Sequence, residues 1–527
     1  MKLMDAQFPI GRAVGIGCAE VFSVGMSLAA LGCLPAGWII AAKSRFDSSY
    51  TGIVGHLLKI KMKIRIRAGT SLSALCLTLL AAGCAHPKMN PSLPLAERQL
   101  TFGAKNHLLD GNNDNFSADG RFLCYDTRDT FGPGIDRGRT IEKVEIASGL
   151  ETVLYAPPFS TNDLAAPGLG AASFHPSENN VSFIHGPPLA ELAARGPYAK
   201  TNRNGAMVRA DGSQRLEWLD YRDVTTDRDT LPGAHRGGTH SHQHSRAGRR
   251  IGFTYDDALL PQYERTTGYM ELHPRAPEGA THWFAVLVPL VRRGTAKPGE
   301  IERAAEDAWV DAAGTKRAFI GRVRNDDGAT YEQSLFVADV PLDVDITTAD
   351  PGSAQRYPRP PKGVSIRRLT HSVAAGTAYG SPDGKRIAYF AHDAQGAMQI
   401  FLIPESGSDR ADDPQLRPVQ ATRLPNIRPN SLRWHPSGDA LCVVSGGGIA
   451  AVCVQPGRNF GKSVFLTPTE DGQSRQDALW SPTGRVLAFC KTVPARAANG
   501  KPMLNYAGTD FIQIFTLDVP ELRALFP

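Results

Sequence analysis

From residue 115 onward, an apolar–small–apolar triplet recurs behind the same short turn signal. Ser117-Ala118-Asp119-Gly120 leads to Leu123-Cys124-Tyr125, and Ser381-Pro382-Asp383-Gly384 leads to Ile387-Ala388-Tyr389. His435-Pro436-Ser437-Gly438 and Ser481-Pro482-Thr483-Gly484 head two more close copies, ending Leu441-Cys442-Val443 and Leu487-Ala488-Phe489. Weaker copies at 175–183, 248–253 and 314–319 bring the number to seven. Pro fixes φ, Asp bonds its own backbone and Gly takes positive φ, so each signal predicts a tight turn between antiparallel strands. The middle position of the triplet reads Cys124, Ser182, Gly252, Ala318, Ala388, Cys442 and Ala488. Small residues at one repeated position predict a close approach of neighbouring sheets. An aromatic often precedes the turn (Phe116, Phe174, Trp434, Trp480), where it would pack between sheets.

Copies recur every roughly 46 to 70 residues, within or somewhat beyond the range for four-stranded propeller blades with loop insertions. The expected fold is therefore all-β, a β-propeller of seven four-stranded blades. The poor fourth copy leaves six or eight open. Arg98-Gln99-Leu100-Thr101-Phe102 resembles a blade-ending strand without a blade of its own. It is expected to complete the last blade beside Phe511-Ile512-Gln513-Ile514-Phe515, closing the ring and removing two exposed edges. Residues 301–313 read as a short helix between blades.

Composition changes the picture in one place, the N-terminus. The chain of 527 residues carries a formal charge of +6, from 58 Lys and Arg against 52 Asp and Glu. Nine of those cations and three of those acids precede residue 84, which leaves 49 of each sign in the remainder. A basic footprint for nucleic acid is absent. Cations alternate with apolar residues from Lys59 to Arg67, and an apolar run follows to Leu80-Ala81-Ala82-Gly83-Cys84. This describes a secretory signal, too short to span a bilayer. It resembles the lipobox of bacterial lipoproteins, which implies acylation of Cys84 and a membrane partner through that anchor. Ala85 in place of Asp points to the outer membrane, facing the periplasm.

The expected organisation is a mis-assigned extension over 1–61, a signal peptide over 62–83, a lipidated linker over 84–97, the propeller over 98–520 and a tail over 521–527. Under this reading translation starts at Met62. The alternative is a transmembrane anchor over 13–42.

The chemistry concentrates in Arg236-Gly237-Gly238-Thr239-His240-Ser241-His242-Gln243-His244, on the innermost strand of the third blade. With a strand period of two, the three histidines share one face. Two imidazoles one residue apart can bind one divalent metal, such as Mn, Zn or Ni, when further ligands come from another strand. His185 and His273 are the further metal ligands expected, with His107 and His282 also available. Asn112 and Asp114 are expected to line the channel from the first blade. His107, Asn112, Asp114, Arg236, His244 and His282 are the expected ligand-binding residues. Asp110 to Asp114 fails the calcium-loop pattern, because Asn115 and Arg121 replace its Gly and Glu. Ser445-Gly446-Gly447-Gly448 reads as a hairpin turn. Cys124, Cys442, Cys453 and Cys490 read as free buried thiols, with a Cys442–Cys453 disulfide left open.

The repeat resembles those of TolB-type propellers. Arg98 to Asp126, with Asn106-His107-Leu108-Leu109, is closer to an uncharacterised bacterial family of whole-propeller proteins. That resemblance continues through 183–187, 236–242, 273–275, 282–283 and 367–370. It implies a fold and no established activity. No complete Gly-x-Ser-x-Gly nucleophile elbow occurs. The histidine strand also resembles oligogalacturonate lyases, seven-bladed propellers that hold a metal with Gln-x-x-His-x-His. His240 and His242 match its histidines, while Gly237 stands where its Gln would be, and the motif falls in an early blade. That resemblance implies a metal that neutralises a uronate carboxylate so that a base can remove the C5 proton, with Arg236 and His242 as the catalytic residues.

Two functions are expected from the sequence. One is an envelope-anchored propeller that binds a protein or carbohydrate ligand at its channel mouth. The other is a metal-dependent lyase acting on an acidic oligosaccharide.

Overall fold

The computed structural model describes residues 93–132, 134–158 and 168–527. The extension, the signal peptide and Cys84 lie outside the described residues. Among those described, six four-stranded antiparallel sheets and one three-stranded sheet follow one another along the chain. The three-stranded sheet is the first blade, Phe122–Asp126, Ile141–Glu145 and Glu151–Tyr155. Its innermost position is filled by 108–116, through bridges Leu108–Asp126 and Phe116–Leu123. Seven blades therefore form the propeller. Its core is not central. It lies in layers between adjacent sheets, as where Leu441 and Val443 of the sixth blade meet Phe390 and Leu402 of the fifth. The layer Leu108, Leu123, Leu479 and Ile514 joins the first blade to the seventh.

That seventh blade contains the N-terminal strand. Arg98 pairs with Thr516 and Gln99 with Phe515, so the expected closure is present. Glu97 adds ion pairs to Arg475 and Lys491 of the same blade.

The turns form as the sequence reads. Ser381 Oγ donates to Asp383 Oδ1 at 2.6 Å and accepts from the Arg386 amide at 3.0 Å, and Gly384 sits at φ 73°. Ser117, Asp119 and Gly120 repeat this geometry. The small positions are where sheets meet. Ser182 Oγ donates to His242 O of the next blade at 3.0 Å. Ser445 pairs with Gly448 in the expected hairpin, and the four cysteines are free and buried.

Two expectations need correction. Residues 301–309 form no helix; Ile301–Trp309 is the innermost strand of the fourth blade. Its Ala-rich composition, Ala304-Ala305 and Ala308, suits close packing between sheets, and burial overrides helix propensity. The second concerns the innermost strands themselves. Ala171, Ser241, Glu306, Gly376, Asn430 and Asp477, one in each of blades two to seven, have φ between 53° and 67°. In the third blade the pairing register shifts between Gly252 and Thr254, opposite Ser241. A bulge there breaks the alternation, so His240 does not share a face with His242 and His244.

Candidate functional site at the channel mouth

The strand Gly237–His244 separates its histidines into three environments. His240, half-buried, has Nδ1 at 2.7 Å from Ser241 Oγ, and burial together with Arg203 pushes its pKa well down. His242 is fully buried, with Nε2 at 3.0 Å from Thr239 Oγ1, and burial lowers its pKa to about 4. Thr239 donates onward to Asp220 at 2.5 Å, and Asp220 also accepts from Asn204 at 2.9 Å and from the Gly205 amide. Against the effect of burial, His235, His242 and the Thr239 hydroxyl hold Asp220 below its ordinary value. This network locks the second blade to the third. His244 stacks edge-on against His175 at 4.6 Å, in the interblade aromatic position.

The other expected residues are dispersed. His185 contacts the Tyr155 hydroxyl at 3.1 Å and Gly186 O at 2.5 Å. His107 meets Glu151 at 3.1 Å beneath the Tyr125 ring. His273 lies edge-on to Trp283, and His282, lowered to about 4 by burial, meets Thr281 Oγ1 at 2.8 Å. Arg236 is fully buried, with Nε at 2.9 Å from Asp257, so its charge is already neutralised inside the fold. His240, His242, His185 and His273 are not brought together. Among the described residues no group of three or more His, Cys, Asp or Glu could hold a metal ion. The side chains present do not fit the metal of the lyase reading.

The structure instead assembles a site at the turn end of the channel. A cavity of about 400 Å³ opens there, and all seven blades contribute to its wall. The residue before each turn is Phe116, Phe174, His244, Trp309, Trp434 or Trp480. Trp309 Nε1 donates to Gln243 O at 3.1 Å and Trp434 Nε1 to Tyr379 O at 2.9 Å, so each ring is fixed by the preceding blade. Gly380 breaks the series because backbone atoms of Val310 occupy the space a Cβ would need.

Two cations face this cavity. Arg433 lies over the Tyr379 ring at 4.2 Å and donates to the carbonyls of Leu432 and Asn113. Arg246 donates to Ser381 O and Pro382 O, each at 3.1 Å. Neither has a carboxylate within ion-pair distance among the described residues. The fully buried arginines all do: Arg128 with Asp126, Arg236 with Asp257, Arg250 with Glu271, Arg317 with Asp307 and Arg475 with Asp471. Asp114 opens to solvent in the same mouth. Enclosure by the ring raises its pKa, against the pull of Arg433 and Arg246.

Several polar atoms of the wall lack a protein partner. They are Asn113 Oδ1, Asn115 Oδ1, Gln243 Oε1, both His244 nitrogens and Trp480 Nε1. Buried polar atoms without partners cost free energy unless water or a ligand satisfies them. Asn112 lies outside the lining of this cavity and contacts Tyr379, which lines it. Its Oδ1 accepts from Thr377 at 3.0 Å and from the Tyr379 hydroxyl at 3.4 Å, spanning the channel from the first blade to the fifth.

Of the expected ligand-binding residues, Asp114 and His244 line this mouth, and Asn112 does not. Arg246, Arg433 and Gln243 escape a sequence reading based on histidines. A signal exists in the repeat. Asn115, Gln243 and Arg433, each the residue before an interblade aromatic, line the mouth, as does Tyr379 before Gly380.

A family profile described as "Protein of unknown function (DUF3748)" matches residues 168–274, the second blade and part of the third. The uncharacterized protein YidR of Escherichia coli (strain K12) is 30% identical over 426 residues, which span 75% of this chain and 94% of that protein. The chain belongs to this family. The family match therefore extends over most of the propeller. Among solved structures, an oligogalacturonate lyase in complex with manganese aligns with a TM-score of 0.48 at 10% identity, covering 82% of this chain and 98% of that one. TolB from Acinetobacter baumannii aligns with a TM-score of 0.34 at 12% identity, covering 76% of this chain and 81% of that one.

Proposed function

We propose that this propeller binds an acidic carbohydrate at its channel mouth while anchored to the bacterial envelope. One observation carries the binding reading. Arg246 and Arg433 face an aromatic-walled cavity of about 400 Å³ without a carboxylate partner, in a fold that neutralises its fully buried arginines. A planar guanidinium pairs well with a carboxylate, and aromatic rings offer a face to the C–H side of a sugar. The cavity volume falls in the usual range for small-ligand pockets, roughly 300–1,000 Å³. The metal-dependent lyase reading has no comparable support, because its four histidines do not converge.

The test is equilibrium titration of the full chain with digalacturonate and with neutral digalactose. Binding of the acidic disaccharide at least about tenfold tighter than the neutral one, lost in Arg433→Ala and Arg246→Ala, is expected. Equal binding of the two, or binding unchanged in both variants, overturns the reading.

The anchoring reading rests on the leader ending Ala82-Gly83-Cys84. Labelled palmitate fed to expressing cells is expected to enter the protein and not its Cys84→Ala variant. Label in both, or in neither, contradicts it.

A further inference from the structure

The two arginines of the channel mouth share their cavity with a carboxylate, that of Asp114. Among the described residues this carboxylate makes no hydrogen bond and no ion pair. It feels the charges of Arg433 and Arg246 only from beyond ion-pair distance. The mouth therefore holds two cations and one anion that do not pair with one another.

Each of the three is held apart by its own anchor. The Asp114 amide donates to Ser173 Oγ at 3.3 Å, and its carbonyl accepts from the Phe174 amide at 2.7 Å, which ties it to the second blade. Arg246 is fastened to Ser381 O and Pro382 O at the turn of the fifth blade. Arg433 lies over the Tyr379 ring and donates to Leu432 O and Asn113 O. The charges come from the first, third and sixth blades, so closing the ring fixes their spacing.

Charges kept unpaired in a partly enclosed cavity are costly until a ligand compensates them. A neutral sugar leaves all three uncompensated. A purely acidic sugar neutralises the arginines but brings a second carboxylate near Asp114, and like charges repel. A purely cationic sugar meets two arginines. A hydroxyl would hydrogen-bond Asp114 without neutralising it. The ligand that matches all three groups carries a carboxylate and an ammonium on one frame. The aromatic wall adds to this, since ring faces attract ammonium groups.

Resting on the channel-mouth reading, we propose that its acidic carbohydrate is an amino sugar acid, with its carboxylate held by Arg246 and Arg433 and its ammonium by Asp114. Asp114 is then the residue that sets specificity. Plain uronates still bind through the arginines, but less tightly.

Isothermal titration of the full chain in detergent at neutral pH tests this, with galacturonic acid, galactosamine, galactosaminuronic acid and N-acetylgalactosaminuronic acid as probes. Galactosaminuronic acid is expected to bind at least about tenfold tighter than galacturonic acid, and N-acetylation to abolish that margin. Asp114→Asn is expected to erase the same margin while tightening galacturonic acid, because a like charge is gone. A gain on one probe beside a loss on the other also shows that the variant is folded. Equal or weaker binding of galactosaminuronic acid, or a margin that Asp114→Asn keeps, overturns the amino sugar acid and leaves the mouth reading intact. Galactosamine binding as tightly as galactosaminuronic acid, or no binding of any probe, overturns both.

Discussion

Arg317 of the fourth blade occupies the space that a side chain at Gly252 of the third blade would need. A Cβ added at Gly252 would overlap the Arg317 guanidinium, which is fixed there by Asp307 at 2.5 Å and lies over Trp309 at 4.8 Å. The small position of the repeat is thus a socket for the neighbouring blade. Gly252→Ala is expected to destabilise the protein by about 1–3 kcal/mol, the usual cost of overpacking. The midpoint of urea denaturation measures it, and an unchanged midpoint contradicts the socket.

Asp477 gives the channel a group that titrates near neutrality. It sits at φ 53°, accepts no hydrogen bond among the described residues, and burial together with Asp110 pushes its pKa up to about 7. Its folded value lies above its unfolded value, so its contribution is fully present below about pH 4 and is lost as pH rises through 7. Asp477→Asn keeps the shape and removes the charge. Above pH 7 the variant is expected to be more stable than the parent, on the order of 2–4 kcal/mol, with the difference vanishing near pH 4. Denaturation midpoints across that range check the sign; a difference that grows toward acid contradicts it.

The two classes of arginine predict opposite responses. Asp257→Ala leaves Arg236 buried and unpaired, and breaking such a pair costs about 3–5 kcal/mol. Arg433→Ala removes a cation that holds no carboxylate, and stability is expected to change by less than about 1 kcal/mol. Paired denaturation curves of the two variants decide this. A large loss in Arg433→Ala would mean that its charge serves the fold and not a ligand.

Much of the architecture was legible because turn chemistry and small residues act locally. Ser381, Asp383 and Gly384 bond one another within four residues, and Ser182 needs only to be small and polar to meet the next blade. The ring closure was legible because Arg98-Gln99 has the pattern of an outer strand with no blade of its own. The histidine face failed for a geometric reason: Ser241 takes positive φ in a bulge, which no alternation rule anticipates. Residues 301–309 misled because alanine favours helices in isolation, whereas here it serves close sheet packing. Arg246 and Arg433 drew no attention because their importance lies in what they lack, a carboxylate partner, and that is visible only when all seven blades are in place.

The central claim is that Arg246 and Arg433 hold the acidic group of a ligand in the channel mouth. A crystal structure of the full chain soaked with digalacturonate tests it most directly. The account predicts a uronate carboxylate within ~3 Å of the Arg433 or Arg246 guanidinium, with the sugar ring against the aromatic wall. A well-ordered disaccharide bound elsewhere, or an empty mouth at saturating ligand, would contradict it.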